Sequence, residues 1–204
     1  MRKKTIAFLL AAAMTAAGFA QNLIENSSFE DGVSQWKPLS WKRGDDKVWL
    51  IPAADTTTSQ GAGGSTSMRL SWTNKTICYM WYHKEIPLPK VDEMQASFWL
   101  KTAGFTTSNQ VELSIMFPEI KDKKKNYIFL RSPWNRNPED WTCYSTTFKV
   151  PAGVTKAKLS IRTHGYTNVK GTNWIDNIYF GPVIKARAFV FRATSKTCFW
   201  QRLL

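Results

Sequence analysis

The chain has 204 residues and a mass of 23.3 kDa, is 43% hydrophobic and carries a formal net charge of +13. The apolar fraction supports a packed core and argues against wholesale disorder. The charge sits at the ends: residues 1–20 hold +3 (Arg2, Lys3, Lys4) and 185–204 hold +5 (Lys185, Arg187, Arg192, Lys196, Arg202), leaving +5 for the middle. A nucleic-acid protein carries its basic excess on the folded surface, so no nucleic-acid partner is expected.

The first element is an address. Arg2, Lys3 and Lys4 precede an uncharged apolar run from Ile6 to Ala17, and Gly18-Phe19-Ala20 supplies the small residues a signal peptidase reads. Residues 1–20 are therefore predicted to be a signal peptide cleaved after Ala20, with the product secreted or periplasmic. The run is shorter than the roughly 20 residues that span a bilayer. No later segment is apolar enough to span one.

Beyond residue 20 the pattern is short β-rich runs separated by turn residues, with no long helical periodicity. The predicted strands are 47–51, 67–72, 77–88, 95–102, 111–117, 127–131, 142–150, 156–162 and 174–180. Nine short strands without crossover helices predict an all-β antiparallel sandwich. It occupies residues 21–184 and is expected to be monomeric.

Alternation assigns a face to each side chain. In 77–88, Ile86 and Leu88 set the core parity and put Tyr79, Trp81, His83 and Glu85 outside. In 95–102, Ala96, Phe98 and Leu100 oppose Ser97, Trp99 and Lys101. In 111–117, Val111, Leu113 and Ile115 oppose Glu112, Ser114 and Met116. In 156–164, Ala157, Leu159 and Ile161 oppose Lys158, Ser160, Arg162 and His164. Outward Trp and Tyr are the informative cases, because an inward one only fills the core.

No catalytic constellation assembles in the sequence. His83 and His164 have no acid at short fixed spacing. The loop Gly61-Ala62-Gly63-Gly64-Ser65-Thr66 lacks the Lys of a phosphate loop and precedes a strand rather than a helix. Glu139 and Asp140 are adjacent in the chain, a poor arrangement for flanking one glycosidic bond. The three Cys are 78, 143 and 198; a Cys78–Cys143 bridge and two buried thiols both remain open.

Five segments stand out in order. They are Asn22-Leu23-Ile24-Glu25-Asn26-Ser27-Ser28-Phe29-Glu30-Asp31-Gly32 with Trp36; Ser65-Thr66-Ser67-Met68-Arg69-Leu70; and Ala96-Ser97-Phe98-Trp99-Leu100-Lys101-Thr102. The last two are Trp141 through Pro151-Ala152-Gly153, and Trp174-Ile175-Asp176-Asn177-Ile178. Together they resemble the jelly-roll carbohydrate-binding modules of families four, nine, sixteen and twenty-two, with a galactose-binding-like sandwich. The resemblance covers about residues 22–183. It implies a non-catalytic module that binds poly- or oligosaccharide, an accessory of glycoside hydrolases. It also implies a structural Ca²⁺ held by Glu30 and Asp176, with the Ser28 carbonyl as a third ligand.

Sugars offer apolar C–H faces rimmed by hydroxyls, which flat aromatics and polar neighbours complement. By parity the binding residues are expected to be Trp81, Trp99 and Tyr79 with His83, Lys101, Glu112 and Arg162. A sandwich that binds protein or anchors an assembly, or a jelly-roll glycosidase or lyase, are the alternatives. Residues 185–204 have no acid, Gly or Pro and fall outside the resemblance; they are expected to be a disordered tail or a truncation stub.

Overall fold

The computed structural model describes residues 21–38, 52–61, 64–72, 78–82, 84–106, 109–122, 126–133, 137–165 and 170–184. Within these, the side chains of Pro38, Trp72, Cys78, Tyr79, Met80, Trp81 and His164 are outside the description. The expected signal peptide, the 47–51 strand, His83 and the tail also lie outside the described residues.

Eleven strands are described: β1 (Trp36–Pro38), β2 (Ala53–Asp55), β3 (Ser67–Trp72), β4 (Cys78–Tyr82), β5 (Ile86–Pro87), β6 (Glu93–Ala103), β7 (Asn109–Met116), β8 (Tyr127–Arg131), β9 (Thr142–Lys149), β10 (Lys156–Gly165) and β11 (Gly171–Pro182). One sheet runs β1-β4-β10-β7-β8, with β5 also paired to β10; the other runs β2-β3-β11-β6-β9. Every pairing among them is antiparallel. The all-β sandwich expected from the sequence is the fold observed.

The single run expected at 77–88 is two strands. A bend at Lys84 separates β4 from β5, and the two pair with opposite ends of β10. The parity survives the break, since Tyr82 and Ile86 are both buried.

The inner faces meet as the alternation requires. Leu113, Ile115, Leu159, Ile161 and Leu130 from one sheet pack against Met68, Leu70, Phe98, Leu100, Ile175 and Phe180 from the other. Each such side chain contributes about 1.5–3 kcal/mol by leaving water. The central strands β6 and β7 are buried on both faces: Gln110, Glu112 and Ser114 point away from the core yet are only 2–5% exposed.

The opening segment docks beside a bulge in β11. Register shifts by one residue between Asp176 and Tyr179, and Asn177 takes φ 46°, a left-handed conformation that Asn tolerates better than most residues. The Asn22 side chain accepts from the Phe180 N–H (3.1 Å) and donates to the Ile178 carbonyl (2.9 Å), while the Ile178 N–H donates to the Ser27 carbonyl (3.0 Å). These bonds explain why an Asn-rich opening and an Asp-Asn closing strand occur together.

Candidate functional site

The outer face of the six-stranded sheet is built from three cross-strand rows. Lys37, Trp81, Ser160, Ser114 and Phe129 form one; Tyr79, Arg162, Glu112 and Arg131 form the next; Lys158, Met116 and Tyr127 form the third. Residues in one row of neighbouring strands stand side by side on the same face. The expected residues Tyr79, Trp81, Glu112 and Arg162 are thus brought to one surface.

The middle of that surface is a polar floor. Ser160 is 0% exposed, and its Oγ has no hydrogen-bond partner among the described residues. An unsatisfied buried hydroxyl is costly. Glu112 Oε1 accepts from Ser114 Oγ (2.7 Å), and its Oε2 accepts from Arg131 Nε (2.5 Å). Glu112 is a buried carboxylate whose charge is compensated by a half-exposed guanidinium.

The β8 wall was legible by alternation but was not among the expected site residues. Tyr127, Phe129 and Arg131 point outward while Leu130 is buried between the sheets. The Tyr127 and Phe129 rings are parallel within 5°, with centroids 5.5 Å apart, and the Arg131 guanidinium lies 4.5 Å over Phe129. Phe129 is 46% exposed, the one large exposed hydrophobic among the described residues.

Trp99 and Lys101 are not on this surface. They lie on β6, on the outer face of the five-stranded sheet, with Trp99 opposite Asp176 and Cys143 and Lys101 opposite Trp174. The expectation of a single face uniting Trp81 with Trp99 is therefore corrected: outward parity on two different sheets points in opposite directions. Trp99 is moreover only 7% exposed, so it is no platform for a ligand.

Cys143, on β9 beside Tyr144, is disulfide-bonded. The alternative of two buried free thiols at 78 and 143 therefore does not hold, and the partner of Cys143 lies outside the described side chains.

Two buried acids anchor the segment that crosses the five-stranded sheet's outer face. Asp55 accepts from the Trp174 indole (2.9 Å), from the Thr57 hydroxyl (2.7 Å) and N–H (2.9 Å), and from the Thr58 N–H (3.2 Å), and it pairs with Arg69 at 3.5 Å. Burial alone would raise its pKa, but these donors outweigh burial and hold it at about 2. Asp176 accepts from the Gln60 N–H (2.8 Å) and the Asn177 N–H (2.7 Å). Burial pushes its pKa up to about 6 against those two donors, and the charge of Glu30 adds to the rise.

Glu30 and Asp176, the two acids expected to bind calcium, are therefore close enough to repel. Glu30 accepts from the Thr66 N–H (2.8 Å), which holds its pKa below the usual carboxylate range. Its carboxyl lies against the Gly64 backbone, where a Cβ would come within 2.2 Å. Ser28 is in the same turn; the neighbouring Ser27 carbonyl is already committed to the Ile178 N–H. No cluster of three or more His, Cys, Asp or Glu is found among the described residues, so carbonyls and water would complete any coordination shell. A buried acid titrating high beside a second carboxylate fits a site that a divalent cation neutralises.

No family model matches the sequence, and no curated protein matches it. Solved structures do resemble the fold. A family 61 carbohydrate-binding module (TmCBM61), solved with beta-1,4-galactotriose, superposes with TM-score 0.53 at 14% identity, covering 80% of this chain and 99% of that one. The CBM22-2 xylan-binding domain of Paenibacillus barcinonensis Xyn10C gives TM-score 0.50 at 14% identity, covering 77% and 98%. The enzymatically active domain of bacteriophage CBA120 tailspike protein 4 gives TM-score 0.57 at 18% identity, but this chain covers only 21% of it. The chain has the fold of the jelly-roll carbohydrate-binding modules.

Proposed function

We propose that the chain is an exported, non-catalytic carbohydrate-binding module that holds a poly- or oligosaccharide across the outer face of the six-stranded sheet. The observation that carries this reading is the set of aromatic and basic residues that strand register brings to that face: Tyr127, Phe129 and Arg131 on β8, with Phe129 46% exposed, and Tyr79 and Trp81 on β4 across Arg162 and Ser160. Apolar walls around a few polar groups are what a sugar's mixed surface requires. Glu112, with both oxygens engaged by Ser114 and Arg131, acts as a structural counter-charge rather than an acid catalyst. The modules it resembles in fold support the reading: one was solved with a galactotriose and another is a xylan-binding domain.

Affinity electrophoresis through gels containing galactan, xylan or other soluble polysaccharide tests this. Trp81→Ala is expected to abolish retardation without altering the melt. Wild-type mobility unchanged in every gel would contradict the reading.

The Glu30–Asp176 pair takes a structural Ca²⁺ in this proposal. The ion would bind to both carboxylates and stabilise the junction between the opening turn and β11. It supplies no chemistry to the sugar face, which is on the other sheet.

A further inference from the structure

We infer that the sugar-binding face selects an anionic glycan carrying carboxylates, such as a uronic-acid polymer; the inference rests on the carbohydrate-binding reading above and names the class of ligand. It begins with the geometry of β8. The Arg131 guanidinium lies 4.5 Å from the Phe129 ring centroid, and the Phe129 ring is parallel to Tyr127 with centroids 5.5 Å apart. The offset rings leave Phe129 46% exposed, so a sugar ring that lies on this apolar surface meets a guanidinium held beside it.

The cations on the face point the same way. Arg131 uses Nε on Glu112 and remains 49% exposed. Arg162 is exposed and stands across Glu112 in register, and Lys37 is exposed at the opposite wall. The acid among them, Glu112, is buried and bonded from within the protein, so it fixes the Arg131 fork without repelling a ligand. A rigid guanidinium fork beside a second arginine is the arrangement that accepts a carboxylate by two parallel hydrogen bonds.

The chain's formal charge of +13 would attract any polyanion weakly, so the test separates site from bulk charge. The full chain is run at physiological salt through gels of polygalacturonate, neutral galactan and dextran sulfate. Polygalacturonate is expected to bind about tenfold more tightly than galactan, as one well-formed charged contact warrants. The paired variant Glu112→Gln/Arg131→Gln, which leaves no buried charge unpaired, is expected to erase that preference, bringing polygalacturonate down to the retention of galactan, while the melting temperature holds. Lys90→Gln, a control in the exposed loop before β6, is expected to change nothing.

Galactan bound as tightly as polygalacturonate would overturn the anionic assignment and leave the carbohydrate reading standing. No retention on any glycan would overturn both. An equal loss in Lys90→Gln, or stronger arginine-dependent binding to dextran sulfate than to polygalacturonate, would also overturn the carboxylate assignment. Should the paired variant fail to fold, Arg162→Gln replaces it with the same expected loss of preference.

Discussion

The two outer faces of this sandwich carry similar residues and serve different ends. Each has aromatic and basic side chains at outward strand positions: Tyr127, Phe129, Arg131 and Arg162 on one, Trp99, Trp174, Lys101 and Arg69 on the other. On the five-stranded sheet Trp99 is buried, and Trp174 and Arg69 are both taken up by Asp55. The segment after β2 crosses that face, tied down by the Gln60 N–H on Asp176, by the Asn177 side chain on Gln60 (3.1 Å) and by the Ser67 hydroxyl on the Thr58 carbonyl (2.5 Å). Trp99 ends 7% exposed and the Trp174 indole is spent on Asp55. On the six-stranded sheet Phe129 remains 46% exposed and a floor hydroxyl lacks a partner. Strand parity says which way a side chain points; what loops do next decides whether it meets solvent.

Paired tryptophan substitutions should split the faces most sharply. Trp99→Ala is expected to cost about 3–5 kcal/mol, the range for truncating a buried aromatic, and to leave glycan binding intact in whatever fraction folds. Trp81→Ala is expected to do the reverse in a chemical melt and an affinity gel. Equal loss of binding in both variants would erase the distinction between the faces.

The buried acids give the next effects, with opposite signs. In calcium-free protein, Asp176 titrates at about 6 in the fold against 3.8 outside it. The native state then holds the proton more tightly, so stability should rise as pH falls from 6. The gain should approach 2–3 kcal/mol, on the order of what such a shift represents. It should be complete only below pH 3.8, the value outside the fold. Calcium, by holding both carboxylates ionised, should raise the melting temperature at pH 7 and flatten this rise, and Asp176→Asn should remove the response. A calcium-insensitive melt on stripped protein would eliminate the metal from the account.

Asp55 behaves oppositely. Its pKa falls from 3.8 to about 2 on folding, so its contribution is present above pH 3.8 and is lost as pH drops toward 2. Asp55→Ala leaves the Trp174 indole and the Thr57 and Thr58 N–H groups without their acceptor, at a cost of about 2–3 kcal/mol. Urea melts at pH 7 should show that loss with no change in glycan retention. Phe129→Ala should be the mildest change, shifting stability by under about 1 kcal/mol as surface substitutions do, while weakening retention severalfold.

Much of the fold was readable in advance because it follows from alternation. Val111-Glu112-Leu113-Ser114-Ile115 and Ala157-Lys158-Leu159-Ser160-Ile161 assign their own faces, and the structure agrees. The opening and closing segments, recognised by resemblance, meet through Asn22 and the Asn177 bulge. The split at Lys84 was not readable, because both halves keep one parity. The site was half readable. Tyr79, Trp81, Glu112 and Arg162 share a face, but joining Trp99 and Lys101 to them required knowing which sheet β6 enters, a long-range fact absent from local pattern. Tyr127, Phe129 and Arg131 could have been found by extending the parity rule to their five-residue strand.

The most direct test is an amide and indole chemical-shift titration of the full chain with galactotriose, xylohexaose and trigalacturonate. The account predicts that the largest shifts, from whichever sugar binds, fall on Glu112, Ser114, Ser160, Arg162 and Arg131, while the Trp174 indole N–H and the amides of Arg69 and Trp99 stay in place. Shifts centred on Trp174, Trp99 and Arg69 with the β7, β8 and β10 signals unmoved would show that the ligand uses the other face.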